Sequence, residues 1–333
     1  MQTWLITGGA GFIGSHLVEW VQANEPEVRV VNFDALTYAG NPANLSSIRE
    51  GERYRFLRGD VCSREQVEAV FREESIDAVL HLAAESHVDR SIAAPERFLQ
   101  TNVMGTANLL ECARRAWQRP DGSFAPEKRF LQVSTDEVYG ALPLSDGEAF
   151  CEQTPLAPRS PYAASKAAAD LLALSYGTTY GFPIVVTRCT NNYGSRQHGE
   201  KLLPKVIACC LEKRPIPLYG DGRNVRDWIH VRDHCAALCA AAKRGRVGEV
   251  YLIGAENQWE NGALVRKVIS YLHEHYDRDI DERLIARAPD RKGHDRRYAV
   301  DPGKIRAELG WRPQVPFEQG LAGTIDWYVG RGR

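Results

Sequence analysis

The first half of the chain alternates short apolar runs with longer amphipathic segments. The apolar runs are rich in branched aliphatic residues, which is typical of buried strands, and the amphipathic segments repeat apolar residues at helical spacing. Strand–helix alternation of this kind predicts a parallel sheet with helices on both faces. The predicted strands are 4–7, 29–33, 54–57, 78–82, 130–134 and 184–187, and the predicted helices are 12–23, 64–73, 97–117 and 162–180.

After Arg188 the pattern changes to polar loops rich in glycine and proline, broken by shorter helices such as one from about 200 to 212. A strand and helix that return to the sheet are predicted near 230–252. We therefore expect an α/β fold, a Rossmann-type doubly wound parallel sheet with a smaller, discontinuous C-terminal substrate lobe. Residues 1–188, with the return segment, would form the domain that contains the sheet, and 189–333 would mainly form the smaller lobe.

Charge and composition exclude few partners but argue against two classes. The 333 residues include 42 Lys plus Arg and 43 Asp plus Glu, for a net charge of -1, so nothing favours nucleic-acid or membrane binding. The first strand runs directly into a glycine motif, without the features of a targeting segment, and no apolar run is long enough for a membrane span. We expect a cytoplasmic protein, and an anionic substrate would need a local basic pocket.

The eight cysteines are scattered and form no Cys-x-x-Cys pair. Cys235 and Cys239 lie one helical turn apart near His230 and His234, so a metal site is conceivable. The stretch has the pattern of an apolar helix and lacks the usual zinc spacings. We therefore predict free thiols and no metal.

A glycine motif follows the first predicted strand and opens the first helix. Gly8, Gly11 and Gly14 stand at Gly-x-x-Gly-x-x-Gly spacing, with Phe12 and Ile13 between the last two. Glycine permits the tight turn and lets the backbone approach a pyrophosphate at the helix N-terminus. A glycine-rich turn without a ligand is the alternative, but the strand–turn–helix context favours a dinucleotide site.

Three further positions at strand ends support that site. Asp34 ends the second strand, where a carboxylate can accept hydrogen bonds from the ribose hydroxyls and would repel a 2′-phosphate, which favours NAD over NADP. Asp60 and Val61 follow the third strand and are candidates for the adenine end, although Asp is also a common turn former. Leu82, Ala83 and Ala84 follow the fourth strand, and the two alanines provide small side chains where the cofactor should pass.

Two groups of polar residues carry the candidate chemistry. Tyr162 and Lys166 lie on adjacent turns of one helix face, where the ammonium is expected to lower the Tyr162 pKa. Thr135, Asp136 and Glu137 follow the fifth strand, and two neighbouring carboxyls can serve as the acid and base of a dehydration. One of them should keep its proton at neutral pH because close carboxyls repel. A helix N-cap with an acidic first turn is the structural alternative.

These residues, with the segments around them, resemble the extended short-chain dehydrogenase/reductase family and, within it, the branch that dehydrates dTDP-glucose. The adjacent Asp136 and Glu137 discriminate this branch from related epimerases. The matching segments are 8–14, 34–41, 81–91, 135–140, 162–166, 188–194, 200–202 and 293–298.

The resemblance implies a reaction with tightly bound NAD. Tyr162 is the base while C4 of the glucosyl unit is oxidised, Glu137 removes the C5 proton, Asp136 protonates the departing C6 hydroxyl, and hydride returns to C6. Thr135 would hydrogen-bond the sugar. The resemblance further implies a homodimer joined through helices 97–117 and 162–180. The substrate-binding residues it implies are His87, Asn192, Lys201, Leu202, Tyr219, Arg226, Asn261, Arg291, His294 and Tyr298.

The chain departs from the family pattern in its second half. The loop 195–199 replaces a proline-containing stretch, Lys292 stands where proline is usual, and Trp259 and Glu260 precede Asn261 in a variable loop. These positions leave the nucleotide base and the exact sugar open. Within the enzyme class, the alternatives are a UDP-sugar dehydratase and a nucleotide-sugar 4-epimerase. A catalytically silent NAD-binding protein is a third, because fold alone does not guarantee chemistry.

Overall fold

The computed structural model of the chain describes residues 1–144 and 147–331. All six predicted strands pair in parallel in one central sheet, which confirms the predicted Rossmann-type doubly wound fold. The six are β1 (Gln2–Thr7), β2 (Val28–Asp34), β3 (Tyr54–Arg58), β4 (Ala78–His81), β5 (Arg129–Thr135) and β6 (Ile184–Cys189).

A seventh parallel strand comes from much later in the chain. The strand Val250–Ile253, which we label β10, pairs with β6, so the sheet order is β10-β6-β5-β4-β1-β2-β3. The order reverses between β1 and β4. In doubly wound sheets, ligands bind outside the carboxyl ends of the strands at such a switch point.

Helices cover both faces of this sheet, and alternate strand residues contact opposite layers. Trp4 and Ile6 of β1 pack into one apolar cluster with the helices α1 (Phe12–Asn24) and α8 (Val231–Arg244). Leu5 packs into the other cluster, on the opposite face. The helices of that face are α2 (Arg64–Glu73), α5 (Thr106–Trp117) and α6 (Pro161–Tyr180).

The segment 97–117 is helical throughout, as predicted, but it is not one uniform α-helix. Two short helices, α3 (Val88–Ala93) and α4 (Pro95–Phe98), are followed by a π-helix at Leu99–Gly105, and α5 begins only at Thr106. Asn102 explains the widened turn, because its side chain is buried and makes hydrogen bonds to Glu85 and Ser165. Such π segments often occur at functional sites.

The remaining elements form a smaller layer around their own apolar cluster, which includes Tyr193 and Trp228. Two small sheets belong to it, one formed by Asn191–Tyr193, Val225–His230 and Gln258–Glu260, and the other by Ile216–Tyr219 and Ile285–Ala288. The strands are β7 (Asn191–Tyr193), β8 (Ile216–Tyr219), β9 (Val225–His230), β11 (Gln258–Glu260) and β12 (Ile285–Ala288), and the helices are α7 (Leu202–Leu211), α9 (Asn261–His275), α10 (Gly303–Leu309) and α11 (Phe317–Arg331). Among the helices of the described residues, none combines the length and apolar character needed to cross a membrane.

Candidate active site

A cavity of about 760 Å³ lies at the carboxyl ends of the central strands, at the switch point between β1 and β4. It brings together residues that are far apart in the sequence, because parallel strands all end at the same edge of the sheet. The predicted residues that line it are Gly8, Gly11, Phe12, Ile13, Gly14, Asp34, Asp60, Val61, Leu82, Ala83, Ala84, Thr135, Asp136, Glu137, Tyr162, Lys166, Asn192 and Lys201.

The glycine turn between β1 and α1 leaves no room for side chains. Gly8 has a φ of 73°, and a Cβ on it would lie 2.8 Å from the backbone nitrogen of Ala83. A Cβ on Gly14 would lie 2.1 Å from the carbonyl oxygen of Gly8. The first turn of α1 therefore packs directly against the turn beside the cavity, as a pyrophosphate-binding turn requires.

Asp34 is fixed at the end of β2 by two backbone donors. Its Oδ2 accepts a hydrogen bond from Ala10 N at 2.9 Å and its Oδ1 accepts one from Leu36 N at 2.7 Å. The nearby Asn44 donates to the Ala10 carbonyl oxygen at 3.0 Å and also lines the cavity. A cavity lined by a glycine turn and a fixed carboxylate fits a dinucleotide.

The two carboxyls after β5 are held by a short 3-10 turn, Asp136–Tyr139. The Thr135 hydroxyl accepts from Glu137 N and donates to Asp136 Oδ1, both at 3.3 Å. Burial and then the Glu137 charge raise the pKa of Asp136 well above its usual value, against an opposing effect of Arg226. Burial also raises the Glu137 pKa, while Lys201 and Arg226 oppose the rise. These surroundings favour the protonated form of Asp136.

Tyr162 and Lys166 lie on the buried face of α6, which begins at Pro161 after the Ser160 N-cap. Lys166 Nζ donates to the Val133 carbonyl oxygen at 2.7 Å, and burial lowers its pKa. The expectation that Lys166 lowers the Tyr162 pKa is wrong here. Burial, followed by the charge of Glu137, raises the Tyr162 pKa well above its ordinary value.

Two of the predicted substrate residues, Asn192 and Lys201, line the main cavity. The Asn192 side-chain oxygen is 2.8 Å from His234 Nδ1, and Lys201 Nζ donates to the Ser86 carbonyl oxygen at 2.8 Å. His87 and Arg291 instead line a neighbouring cavity of about 340 Å³.

The other predicted substrate residues line neither of these two cavities. Arg226 lies close to the carboxyl pair, with its guanidinium 4.2 Å from the Tyr298 ring centroid and a donor bond of 2.9 Å to the Asp295 carbonyl oxygen. Tyr298 in turn donates to Asp295 Oδ2 at 2.6 Å. The residues outside the two cavity linings are Leu202, Tyr219, Arg226, Asn261, His294 and Tyr298.

The variable positions in the second half differ in their surroundings. Trp259 stacks on Phe317 with ring centroids 5.3 Å apart, which makes it part of the packing of the smaller layer. The loop 195–199 contacts the main cavity through Arg196, Gln197 and His198. In the described residues there is no group of three or more His, Cys, Asp or Glu side chains that could hold a metal ion.

Sequence reasoning missed two residues that support the site. Asn102 in the π-helix accepts from Glu85 N and donates to Glu85 O and Ser165 Oγ, which fixes the cavity wall beside α6. Cys189 lines the cavity at the end of β6, and its thiol donates to Ser134 O at 3.4 Å. A small polar residue at a strand end was the available signal for Cys189, but nothing local pointed to Asn102.

Comparisons with known proteins agree on one family. The profile of the family described as GDP-mannose 4,6 dehydratase matches residues 5–324. The chain is 48% identical over 332 residues to a dTDP-glucose 4,6-dehydratase from Xanthomonas campestris pv. campestris, covering 99% of this chain and 93% of that protein.

Solved structures give the same result. One match is a crystal structure of dTDP-glucose 4,6-dehydratase from Streptomyces venezuelae with NAD and dTDP bound. It is 46% identical in sequence and has a TM-score of 0.91, and the alignment covers 99% of this chain and 98% of that chain. A UDP-glucose 4-epimerase from Thermus thermophilus in complex with NAD is more distant, with 32% identity, a TM-score of 0.84 and 99% coverage of both chains. The chain therefore belongs to the dTDP-glucose 4,6-dehydratase family of extended short-chain dehydrogenases/reductases.

Proposed function

We propose that this chain is an NAD-dependent enzyme that converts dTDP-glucose into dTDP-4-keto-6-deoxyglucose. The observation that carries the proposal is the meeting of Asp136 and Glu137 with Tyr162 and Lys166 in one cavity. Epimerisation would need the redox groups alone, whereas loss of water needs an acid and a base in addition. The names of the relatives and of the structural neighbour support the same activity.

The cofactor half of the cavity would hold NAD. The backbone of Gly8, Gly11, Phe12, Ile13 and Gly14 would bind the pyrophosphate at the start of α1. Asp34 would accept from the ribose hydroxyls, and its negative charge would disfavour a 2′-phosphate. Asp60 and Val61 would contact the adenine end, and Leu82, Ala83 and Ala84 would line the path between. Bound NAD would supply the acceptor that takes hydride from C4 of the sugar and later returns it to C6.

Tyr162 would take the proton of the C4 hydroxyl, with Thr135 hydrogen-bonded to the same sugar and Lys166 as the neighbouring cation, whose effect on the phenol is outweighed by burial. Burial keeps the phenol of Tyr162 protonated in the geometry described here. Its action as a base therefore depends on additional positive charge or substrate polarity entering the cavity.

Elimination would then divide between the two carboxyls. Glu137 would remove the C5 proton, since Lys201 and Arg226 favour its charged form. Asp136 would give its proton to the C6 hydroxyl, which leaves as water. The raised pKa of Asp136 supports this assignment, because a general acid must hold its proton at the working pH.

The sugar nucleotide would lie between the main cavity and the smaller cavity beside it. Basic groups in and around these cavities suit a diphosphate, with Lys201 in the main cavity, Arg291 in the smaller one and Arg226 close to the carboxyl pair. The full set we propose for the substrate is His87, Asn192, Lys201, Leu202, Tyr219, Arg226, Asn261, Arg291, His294 and Tyr298. We also propose that residues 1–188, with the return segment near 230–252, form the NAD-binding domain, and that 189–333 mainly bind the substrate.

The proposal also includes the oligomeric state and the cellular location of the protein. A homodimer is supported by exposed apolar residues on the neighbouring π-helix and α6, namely Leu99, Met104 and Leu171, which are 52%, 56% and 58% exposed. A cytoplasmic location is supported by the cysteines, all eight of which are free thiols, as expected in a reducing compartment.

The experiment that tests the activity is incubation of the purified protein with dTDP-glucose, followed by mass spectrometry of the product. We expect loss of one water without net consumption of NAD. UDP-glucose in a parallel reaction tests the preference for the base. A product of unchanged mass, with C4 inverted, would instead identify an epimerase.

A further inference from the structure

The loop 195–199, where the chain departs from the family pattern, is held between the first and last helices of the chain. His16 Nε2 on α1 donates to the Ser195 carbonyl oxygen at 3.0 Å. Tyr328 on α11 donates its hydroxyl to the Gln197 carbonyl oxygen at 2.5 Å. Contacts on both sides of Arg196 therefore fix the backbone of this loop against the cavity wall.

Arg196 has an unusual backbone conformation for a large residue. Its φ of 67° lies in the left-handed region, which costs free energy for any residue with a Cβ and is often found at functional sites. Its side chain is 18% exposed and lines the main cavity together with Gly11, Phe12 and Ile13. The loop thus carries a largely buried guanidinium to the start of α1.

One side of this guanidinium is held in place. Arg196 Nη2 donates to Glu19 Oε1 at 2.7 Å, and the same carboxylate oxygen accepts from Ser47 Oγ at 2.8 Å. Burial would raise the Glu19 pKa, but these two hydrogen bonds outweigh it and lower the pKa, so Glu19 is ionised. Arg196 Nη1, in contrast, is shielded from solvent and has no hydrogen-bond partner among the described residues.

The other cations of the cavity are engaged elsewhere. Among the described lining residues, the other Lys and Arg side chains are Lys166, Lys201 and Arg331. Lys166 donates to the end of β5 and Lys201 to Ser86, while Arg331 is exposed and lies over the Trp327 ring. Arg196 is the one of these four that is paired to a residue of α1, the helix whose N-terminus suits a phosphate.

We infer that Arg196, oriented by Glu19, donates its free Nη1 to the diphosphate of bound NAD. This inference rests on the proposed NAD site and adds to it a cofactor-binding residue outside the glycine turn. A guanidinium can bind one anion with each side of its planar fork, so the pair with Glu19 fixes the direction in which the second side points. Ser195 and Gln197 act as positioning residues through their backbone carbonyls.

The test compares ligands that contain the diphosphate with one that lacks it. Full-length protein freed of nucleotide with charcoal is titrated with NAD, ADP-ribose and adenosine by calorimetry, as wild type and as Arg196→Gln. We expect the affinity of the variant for NAD and ADP-ribose to fall about 10- to 100-fold, because a charge-assisted hydrogen bond in a buried site is lost. Adenosine affinity should stay unchanged.

The matched control is Arg232→Gln, which removes one positive charge near His16 from an exposed position outside the cavity. It should bind all three ligands as the wild type does. An equal loss of affinity in both variants would overturn the inference. The loss would then come from the lower overall positive charge and not from a hydrogen bond of Arg196. Equal ADP-ribose affinity of wild type and Arg196→Gln would also overturn it.

A second variant covers the case in which Arg196→Gln fails to fold, as judged by its thermal melting. Arg196→Lys keeps the charge and a bond to Glu19 but lacks the planar fork, so we expect a smaller loss for NAD and ADP-ribose and none for adenosine. Undiminished ADP-ribose affinity in this variant would overturn the inference. Wild-type protein that binds neither NAD nor ADP-ribose would overturn the proposed cofactor site itself.

Discussion

At the scale of single residues, burial governs the acid–base groups of the site. Asp136 is 2% exposed, and its neighbour Glu137 adds a repelling charge, so the pKa of Asp136 is raised well above its usual value where a proton donor is needed. Lys201 and Arg226 act in the opposite direction on Glu137. Two adjacent residues of the same type thereby acquire different roles from their surroundings.

Replacement of Glu137 by Gln should separate oxidation from elimination. Glu137→Gln keeps the size of the side chain but cannot accept the C5 proton, so the C4 oxidation proceeds and the reaction then stops. We expect NADH absorbance to accumulate on addition of dTDP-glucose. Tyr162→Phe is the control and should accumulate none, because it blocks the first step. If Glu137→Gln turns over without NADH accumulation, the assignment of the base is wrong.

Asp136→Asn should alter stability in a pH-dependent way. A carboxyl whose pKa is higher in the folded than in the unfolded chain stabilises the fold fully below its unfolded pKa of about 3.9, and that contribution is lost as pH rises through the folded value. Asp136→Asn should therefore abolish turnover yet be more stable than the wild type by about 1–2 kcal/mol near neutral pH.

The measurement for this variant is urea unfolding of both proteins at about pH 5 and about pH 8, where the advantage of Asp136→Asn should be larger at the higher pH. Asp60→Asn, at an exposed position of the same cavity, is the control and should show little difference. An advantage that does not change with pH would contradict the explanation.

At the scale of elements, the π-helix Leu99–Gly105 connects the cofactor wall with the catalytic helix. Its widened turn brings Asn102 into contact with the backbone of Glu85 after β4 and with Ser165, which lies next to Lys166 on α6. Gly105 allows the same element to approach Val61, since a Cβ there would lie 2.8 Å from the Val61 side chain. One element thus sets the spacing between three parts of the cavity.

Asn102→Ala should destabilise the protein and loosen the site. The change leaves buried polar groups of Glu85 and Ser165 without their partner, and each such group costs about 1–3 kcal/mol. We expect a loss of roughly 2–4 kcal/mol in urea unfolding, together with weaker NAD retention. Asn108→Ala, which removes a partly exposed side chain on α5, should cost about 1 kcal/mol. Equal effects of the two changes would argue against a special role of the π-helix.

At the scale of the whole molecule, α6 has both buried and exposed residues that bear on the proposed dimer. Tyr162, Ala163, Lys166 and Ala167 of this helix are buried, whereas its residue Leu171 is 58% exposed. An apolar patch at this position suits contact with a second copy of the chain. The catalytic residues would then lie on the inner side of the same helix that forms the dimer.

Leu171→Glu should dissociate the proposed dimer, because it places a charge in an apolar contact. We expect the mass measured by light scattering to fall from that of two chains to that of one. Leu211→Glu, on the exposed side of α7, is the control and should leave the mass unchanged. A wild-type protein that is already a single chain would refute the dimer.

The sequence by itself determined the order and type of the main elements and the positions of the chemical groups. Apolar runs with strand periodicity predicted six strands of the sheet, and the glycine motif and strand-end residues predicted which side chains meet, because parallel strands end at one edge. These features depend on residues close together in the chain. The π-helical turn at Leu99–Gly105 escaped prediction, since the contacts of Asn102 reach Glu85 and Ser165, the latter 63 positions away.

Only the tertiary structure decided the protonation of the site and the place of the loop 195–199. Adjacency of Asp136 and Glu137 predicts repulsion, but which carboxyl keeps its proton depends on burial and on Lys201 and Arg226, which come from other parts of the fold. The expected effect of Lys166 on the Tyr162 pKa was wrong for the same reason, because burial outweighs the spacing along one helix. The direction of Arg196 likewise depends on Glu19, 177 positions earlier in the chain. Desolvation and charge act through space, so the sequence pattern can identify such groups but cannot determine their protonation or their orientation.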